Sequence, residues 1–407
     1  MSILRSAIER LAAIPRLPTS AGEQRAAEII GAELSTCCSS VEIEPEPAYS
    51  SYAVPIGLLC GVALVSAWAG ARGHRVVATV GGALAAAGIV DDVSGRRMAF
   101  RRCFLRPGTT QNVVAVTGDD RAEATLVVLA HHDAAPSGAV FDQRVQEWVS
   151  RHLPWLIARA KSNPPLWWPV VAGPALISLG SATGRTRWWR IGSVLTACSL
   201  AAMLDIARRP AVPGANDNLS GVAAVLALAR ALHAEPLRGL RVVLVSAGAE
   251  EALQEGIRGF ARRHFPGLAR DRTCFLNLDT VGSGRLVMLE GEGPIRMHDY
   301  DAAFRDLVAD CAASEGIELV RGLRSRNSTD GAVPHRHGYR TATLVSVDDR
   351  KLIPHYHLDT DLPEHVDLGS VEQAARLAGA VARELAARAQ RFGAGFGLPG
   401  RPVRQVT

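Results

Sequence analysis

Cysteine pairs at metal-finger spacing are missing from this sequence. Its seven cysteines (Cys37, Cys38, Cys60, Cys103, Cys198, Cys274 and Cys311) are odd in number and include no C-x-x-C. That speaks against a zinc ribbon and a dense disulfide framework, and fits a reducing compartment. Long Lys/Arg runs are also missing and aromatic residues are only 5%, so the formal charge of +5 gives little support to nucleic-acid binding. No continuous apolar core follows Met1, and the amphipathic start with Glu9 and Arg10 is not expected to be a secretory signal. Charge itself is sparse, at 21% against 48% hydrophobic residues, which is apolar for a soluble enzyme and polar for a full transporter. A chain of 407 residues can still bury a large core and hold more than one layer or domain.

The scarce charge is unevenly spread. Residues 47–71 carry none, a stretch long enough to cross a bilayer, which takes roughly 20 apolar residues. Residues 76–90 are apolar again but short, about 22 Å if helical. A second pair follows: the uncharged 162–184, with Trp167 and Trp168 near its start, and 191–204 behind Trp188-Trp189-Arg190. Tryptophans beside arginines at segment ends have the character of interfacial anchors. The expected organisation is two membrane hairpins, at 52–92 and 163–207, giving about four transmembrane helices. Each has a short basic tip (Arg72 and Arg75; Arg185, Arg187 and Arg190), and both return the chain to the side it left. On that side Arg96, Arg97, Arg101, Arg102, Arg159, Lys161, Arg208 and Arg209 lie close to the spans, which predicts a cytoplasmic catalytic side.

Outside the hairpins, short apolar runs alternate with helical patterns. Strands are predicted at 41–44, 111–117, 124–130, 240–246, 273–278, 286–289 and 341–347, and helices at 3–14, 20–35, 219–233, 252–264, 299–315 and 370–390. This alternation predicts an α/β fold with a mostly parallel central sheet flanked by helices on both faces. The chain then divides into 1–46 (first part of that domain), 52–92 (first hairpin), 111–137 (domain), 163–207 (second hairpin), 211–390 (remainder of the domain) and 391–407. The last segment, rich in Gly, Pro and Arg, is predicted to be disordered.

Residues with chemistry fall just after the strands, where ligands bind in open α/β sheets. His131-His132-Asp133 ends one run, Glu250-Glu251 follows another, Asp279 follows a third, and His355-Tyr356-His357 comes late. Between them lies Pro213-Gly214-Ala215-Asn216-Asp217-Asn218-Leu219-Ser220-Gly221, a turn that opens into an apolar helix. Alone, Asn-Asp-Asn before a helix is most simply a cap; its company makes it a site. Imidazole and carboxylate suit zinc, and ligand type leaves Co2+ and Mn2+ open. Two ions need one shared carboxylate and about two private ligands each. His131 and Asp279 can serve one ion, Glu251 and His357 the other, with Asp217 between them. Glu250, beside a ligand but not consumed as one, is the natural general base, and Asp133 can accept the second N–H of His131. By residue type alone His132 and His355 remain rival ligands, while His335, His337 and His365 read as surface or structural.

These motifs, in this order, resemble the di-zinc aminopeptidases of metallopeptidase family 28, which include bacterial leucyl-type aminopeptidases and, more distantly, glutaminyl cyclases. The resemblance covers 3–46 and 111–390, interrupted by both hairpins. His131-His132-Asp133 matches the family's His-x-Asp, Glu250-Glu251 its Glu pair, Asp279 its Asp after a strand, and Tyr356-His357 its Tyr-His. Residues 213–221 match its Pro-Gly-Ala-Asp-Asp-Asn-x-Ser-Gly, with Asn216 replacing the first Asp, and Thr329-Asp330 stands where the family has Ser-Asp. The resemblance implies two Zn2+, the register His131 and His357, and a cis bond between Asp217 and Asn218. It also implies a substrate pocket lined by Asp330, Tyr356 and His132. The implied activity is a metal-dependent exopeptidase that removes N-terminal residues from peptides with a free N-terminus, Glu250 moving the proton. The lipid bilayer is the second expected partner. The alternatives are a glutaminyl cyclase-like zinc enzyme and an inactive membrane scaffold on the same fold. A hairpin hung between His131 and Asp217, two ligands of one centre, leaves two roles open: anchoring, or presentation of a membrane-associated peptide.

Overall fold

The computed structural model describes residues 2–399. Its centre is a seven-stranded sheet of β1 (Ser40–Ala48), β2 (Gly108–Gly118), β3 (Thr125–His131), β4 (Arg241–Ala247), β5 (Thr273–Leu278), β6 (Arg285–Met288) and β7 (Arg340–Val347), in the spatial order β1-β2-β4-β3-β5-β7-β6. Each run predicted as a strand is in it. The central four, β4-β3-β5-β7, are mutually parallel, whereas β1–β2, β2–β4 and β7–β6 pair antiparallel. The sheet is therefore mixed, not mostly parallel. Apolar runs mark a strand but not its direction, which is set by how the chain returns.

Alternation along the buried strands creates two layers. Leu126, Val128 and Ala130 of β3 join a core shared with the helices Ser2–Ala12, Ala21–Leu34, Leu219–Ala234, Ala302–Ser314 and Leu368–Phe392. Val127 and Leu129 join a second core shared with Glu255–His264 and Ala332–Arg336 on the other face. The last long helix continues to Phe392, past the start of the tail expected to be disordered. Phe396 then returns to the core, and Arg340 donates to the Leu398 and Pro399 carbonyls at 3.2 and 3.3 Å. One aromatic supplies the anchor that a Gly- and Pro-rich composition hides. Residues 400–407 of that expectation lie outside the described residues.

Two insertions leave the sheet through pinched necks: Ala48 pairs with Gly108 at the end of the β1–β2 ladder, and Pro136 bridges Ala211. Beyond the necks, helices Ala53–Ala71, Arg75–Val93, Trp167–Thr183 and Thr186–Ile206 pack as one bundle. Three are long and apolar enough to cross a membrane. Trp167–Thr183, at 17 residues, is not, so length and composition stop short of the four spans expected. Arg75–Val93 runs past its apolar stretch because Asp92 is buried against Arg101.

The bundle is packed inside out. Ala63, Ala67, Gly82, Ala85 and Ser181 are buried, while Val62, Val65, Val76, Leu84 and Val194 are exposed. Small interior residues let the helices approach closely. A Cβ on Gly180 would come within 2.4 Å of the Trp189 amide, and one on Gly192 within 2.6 Å of the Ile177 amide. Gly180→Val is therefore expected to destabilise the bundle by about 1–3 kcal/mol, read as a lower unfolding midpoint in detergent. Gly61→Val, where a Cβ meets nothing within 4 Å, should leave that midpoint near wild type.

The bundle is also fastened to the α/β body. Tyr52, Ile56, Ile89, Val170 and Ile206 form its base, against which Leu253 and Ile295 pack. Beside them Arg101, fully buried, donates to both oxygens of Asp92 at 2.8 and 2.7 Å and to the Ala252 carbonyl at 2.8 Å, with Glu255 3.4 Å away.

Candidate metal centre

The carboxyl ends of the parallel strands converge on one point. His131 is the last residue of β3, Glu250 and Glu251 open the turn after β4, Asp279 follows β5, and His357 lies in the loop beyond β7. Asp217 enters from the turn before the Leu219–Ala234 helix. His131 Nε2 lies 3.3 Å from Asp217 Oδ1 and 4.0 Å from Glu250 Oε2, and His357 Nε2 lies 3.3 Å from Asp217 Oδ2 and 3.2 Å from Glu251 Oε2. Asp217 thus offers one oxygen to each imidazole. Ligand atoms of His131, Asp217 and Asp279 lie within 4.8 Å of one another, as do those of Asp217, Glu251 and His357, and those of His131, Glu250 and Glu251. All six residues are buried.

Buried polar groups hold this arrangement. The Asp133 carboxylate lies 3.3 Å from His131 Nδ1 and accepts the amides of Glu250 and Glu251 at 3.0 and 2.9 Å. It therefore fixes one imidazole and the turn carrying two carboxylates. Asp133→Asn is expected to weaken zinc binding about 10–100-fold, measured by competition with a chelator of known affinity. Asn218 caps its helix by accepting the Gly221 amide at 3.1 Å, and it also accepts the Thr280 amide and donates to the Leu278 carbonyl, which sets Asp217 beside Asp279. The Asp217–Asn218 peptide bond is cis. Asn216 accepts the Gly282 amide and donates to Ser283, so the amide at this position is used at both ends.

Three supports act where the sequence offers no hint of the site. Arg16 donates to the carbonyls of His132, Pro213 and Gly214 at 2.9, 2.8 and 3.2 Å, tying the His131 and Asp217 loops together. Asp361 accepts the amides of Asn216 and Asp217 at 2.8 and 3.0 Å. Glu23 accepts the Ala249 amide at 2.7 Å. Arg16 and Asp361 are lone polar residues outside any motif, whereas Glu23 stands in the Ser20-x-x-Glu23 capping pattern of its helix, which gives no hint of its reach to Ala249. The loops they brace are strained: Ala249, Leu253, Gln254, Thr280, His355 and His357 all have positive φ without being glycine.

The residues expected to line the pocket fare differently. Asp330 is buried with both carboxyl oxygens unpartnered. Tyr356 stacks on His357 with ring centroids 4.0 Å apart. His132 is fully buried with Nδ1 3.0 Å from Ser246 Oγ, a core partner in place of the pocket wall expected for it. Neighbouring residues of an extended chain point to opposite sides, so His131 and His132 cannot both face the centre. His355 turns instead to Thr360 and stacks on His365. Phe141, from the second insertion, also packs on His357, with ring centroids 4.4 Å apart.

Electrostatics show that the cluster is built for cations. Burial pushes Glu250 and Glu251 up and Asp279 to about 7. Burial also opposes the charges of His131 and His357, but carboxylate neighbours outweigh it, raising both and taking His357 to about 10. For Asp217 the two imidazoles outweigh burial and hold its carboxyl below the usual range. Glu251 Oε1 lacks a hydrogen-bond partner despite burial, and it is a metal-donor atom. The residues present fit zinc.

Residues 197–382 match the model of peptidase family M28. Similar solved structures include a zinc aminopeptidase from Bacillus subtilis (15% identity, TM-score 0.53, covering 94% of each chain). An aminopeptidase from Aneurinibacillus sp. strain AM-1 is 16% identical, with TM-score 0.52 and coverage of 93% of this chain and 92% of that one. A glutaminyl cyclase from Bacteroides thetaiotaomicron, bound to N-acetylhistamine, is 13% identical, with TM-score 0.55 and coverage of 94% and 97%. At these identities the likeness establishes the fold. No curated protein matches the chain in sequence.

Proposed function

We propose that this chain, which belongs to peptidase family M28 through residues 197–382, is a membrane-anchored zinc aminopeptidase that removes N-terminal residues from peptides. One observation carries the reading: Asp217 faces His131 with one oxygen and His357 with the other, the placement a carboxylate shared by two ions requires. When bound, the two zinc ions supply Lewis acidity and a nucleophilic water at neutral pH. The chain's own residues do the rest. Gln254 donates to Glu250 Oε1 at 2.9 Å, leaving Oε2 turned towards His131 and free to take a proton from water and return it to the leaving amine. Phe141 and Tyr356 cover His357 and keep bulk water from the centre.

The inside-out bundle, with Arg72 3.9 Å over the Trp68 ring at its tip and Trp167 and Trp168 at its base, supports membrane anchoring through about four spans. Arg97, Arg102, Arg208 and Arg209 near the base support a cytoplasmic catalytic side. The fastening of the base beside the Glu250–Glu251 turn favours a membrane-associated peptide over simple anchoring. The test is hydrolysis of aminoacyl-anilides and short peptides by detergent-purified protein, with zinc counted in the same sample. Chelator-sensitive release of N-terminal residues with about two zinc ions per chain is expected; absence of bound metal would overturn the assignment.

A second reading, glutaminyl cyclase-like cyclisation, draws on Asp330, whose carboxyl burial pushes to about 8 and whose charge reaches Glu250. A single zinc with release of cyclised peptide, and no released residue, would select it.

A further inference from the structure

Between Phe141 and the apolar helix opening at Trp167 the chain forms two short helices, Arg144–His152 and Pro154–Arg159, in which no residue is buried. Their inner side is tied to the α/β body. Gln143 donates to the Ile353 carbonyl at 2.7 Å, Lys351 to the Ala158 carbonyl at 2.9 Å, and the Arg324 amide to the Lys161 carbonyl at 2.8 Å. Their outer side presents Val145, Trp148, Trp155 and Leu156, the first three 72%, 55% and 54% exposed. Arginines and a lysine edge this face, and the one acidic residue of 144–161, Glu147, is paired with Arg151. Arg144 and Arg151 pair with Asp142 and Glu147, which are only partly exposed.

This face is not a general feature of the surface. Outside the bundle and residues 138–166, the large exposed apolar side chains among the described residues are Ile43, Phe104 and Phe392, scattered singly. Four exposed apolar side chains between 145 and 156, two of them tryptophan, are costly in water and call for a covering. Tryptophan with arginine, on short helices a few residues before an apolar helix, is the composition of the headgroup layer of a bilayer.

We propose that residues 144–159 lie along the membrane surface as an interfacial strap, with the lipid headgroup–acyl boundary as their partner. The proposal rests on the reading of the hairpins as membrane-spanning. Its consequence reaches the centre, because the strap begins three residues after Phe141, the residue packed on His357. Lipid contact and a metal ligand are joined through one short piece of chain.

The experiment uses the full chain in phosphatidylcholine–phosphatidylglycerol vesicles. Cys38, Cys103 and Cys198 are replaced by serine, and a fluorescent label is placed singly at Val145→Cys, Leu156→Cys or, within the bundle, Leu84→Cys. Quenching by nitroxide lipids is compared with quenching by an aqueous nickel chelate. The expected result is several-fold stronger quenching by shallow nitroxide lipid than by the chelate at positions 145 and 156, with deep nitroxide most effective at 84. Lipid quenching at 84 alone, with 145 and 156 open to the chelate, would overturn the strap and leave the spanning helices standing. Protection of 145 and 156 from both quenchers would overturn it in favour of a protein covering. No lipid quenching at 84 either would remove the spanning reading and the strap with it.

Discussion

Glu250→Gln is expected to lower kcat by about 10²- to 10⁴-fold while leaving about two zinc ions bound per chain. The substitution is isosteric and keeps an oxygen for the Gln254 donor. The backbone amides of Glu250 and Glu251 keep their bonds to Asp133, since neither involves the altered side chain. What disappears is the ability to hold a proton between water and the leaving amine. Glu251→Gln serves as the contrast, because this carboxylate faces His357 at 3.2 Å and its change should lower zinc content. Single-turnover rates and metal analysis on the same preparations separate the two effects. A Glu250→Gln enzyme within tenfold of wild type would remove Glu250 from the role of base.

Arg101→Met should be the most destabilising single change away from the metal ligands, by about 3–5 kcal/mol. It leaves the Asp92 carboxylate buried without the guanidinium that pairs with it, removes one cation from Glu255, and frees the Ala252 carbonyl next to the Glu250–Glu251 turn. Thermal unfolding in detergent reads the loss. Because the variant can fail to fold, Asp92→Asn provides a milder companion that keeps the shape of the pair and removes one charge. If Arg101 positions the turn, Asp92→Asn lowers kcat several-fold with KM little changed. Unaltered turnover in a folded Asp92→Asn protein, with wild-type stability, would show that the buried group does no more than fill space.

Much of the fold was legible because the strands are buried on both faces and read as continuous apolar runs such as Leu126–Ala130. The place of the candidate site was legible because a strand's carboxyl end is a fixed place: His131 ends β3, Glu250 and Glu251 open the turn after β4, and Asp279 follows β5. Direction was not legible: β2 has the composition of its neighbours yet runs antiparallel to β4. Nor was the bracing of the site. Arg16, Glu23, Asp361 and Arg101 act over sequence separations of 116 to 226 residues, and such contacts leave no local pattern. Arg101 read as a surface charge beside a membrane span, and the structure places it in the interior. Asp92 beside it was the clue, an acidic residue at the end of an apolar helix that needs a partner to be buried.

The two pinched necks have a consequence in time. Synthesis runs from the N-terminus, so β1 must wait for the whole first hairpin before β2 arrives to pair with it. His131 must likewise wait for the second hairpin before Asp217 appears. Each neck closes only after its helices have turned back, and the four helices contact one another across both insertions. Asp217 is thus made only after the fourth helix of the bundle is complete. A nascent chain stalled before residue 206 holds a finished first hairpin and, of the candidate metal ligands, His131 alone.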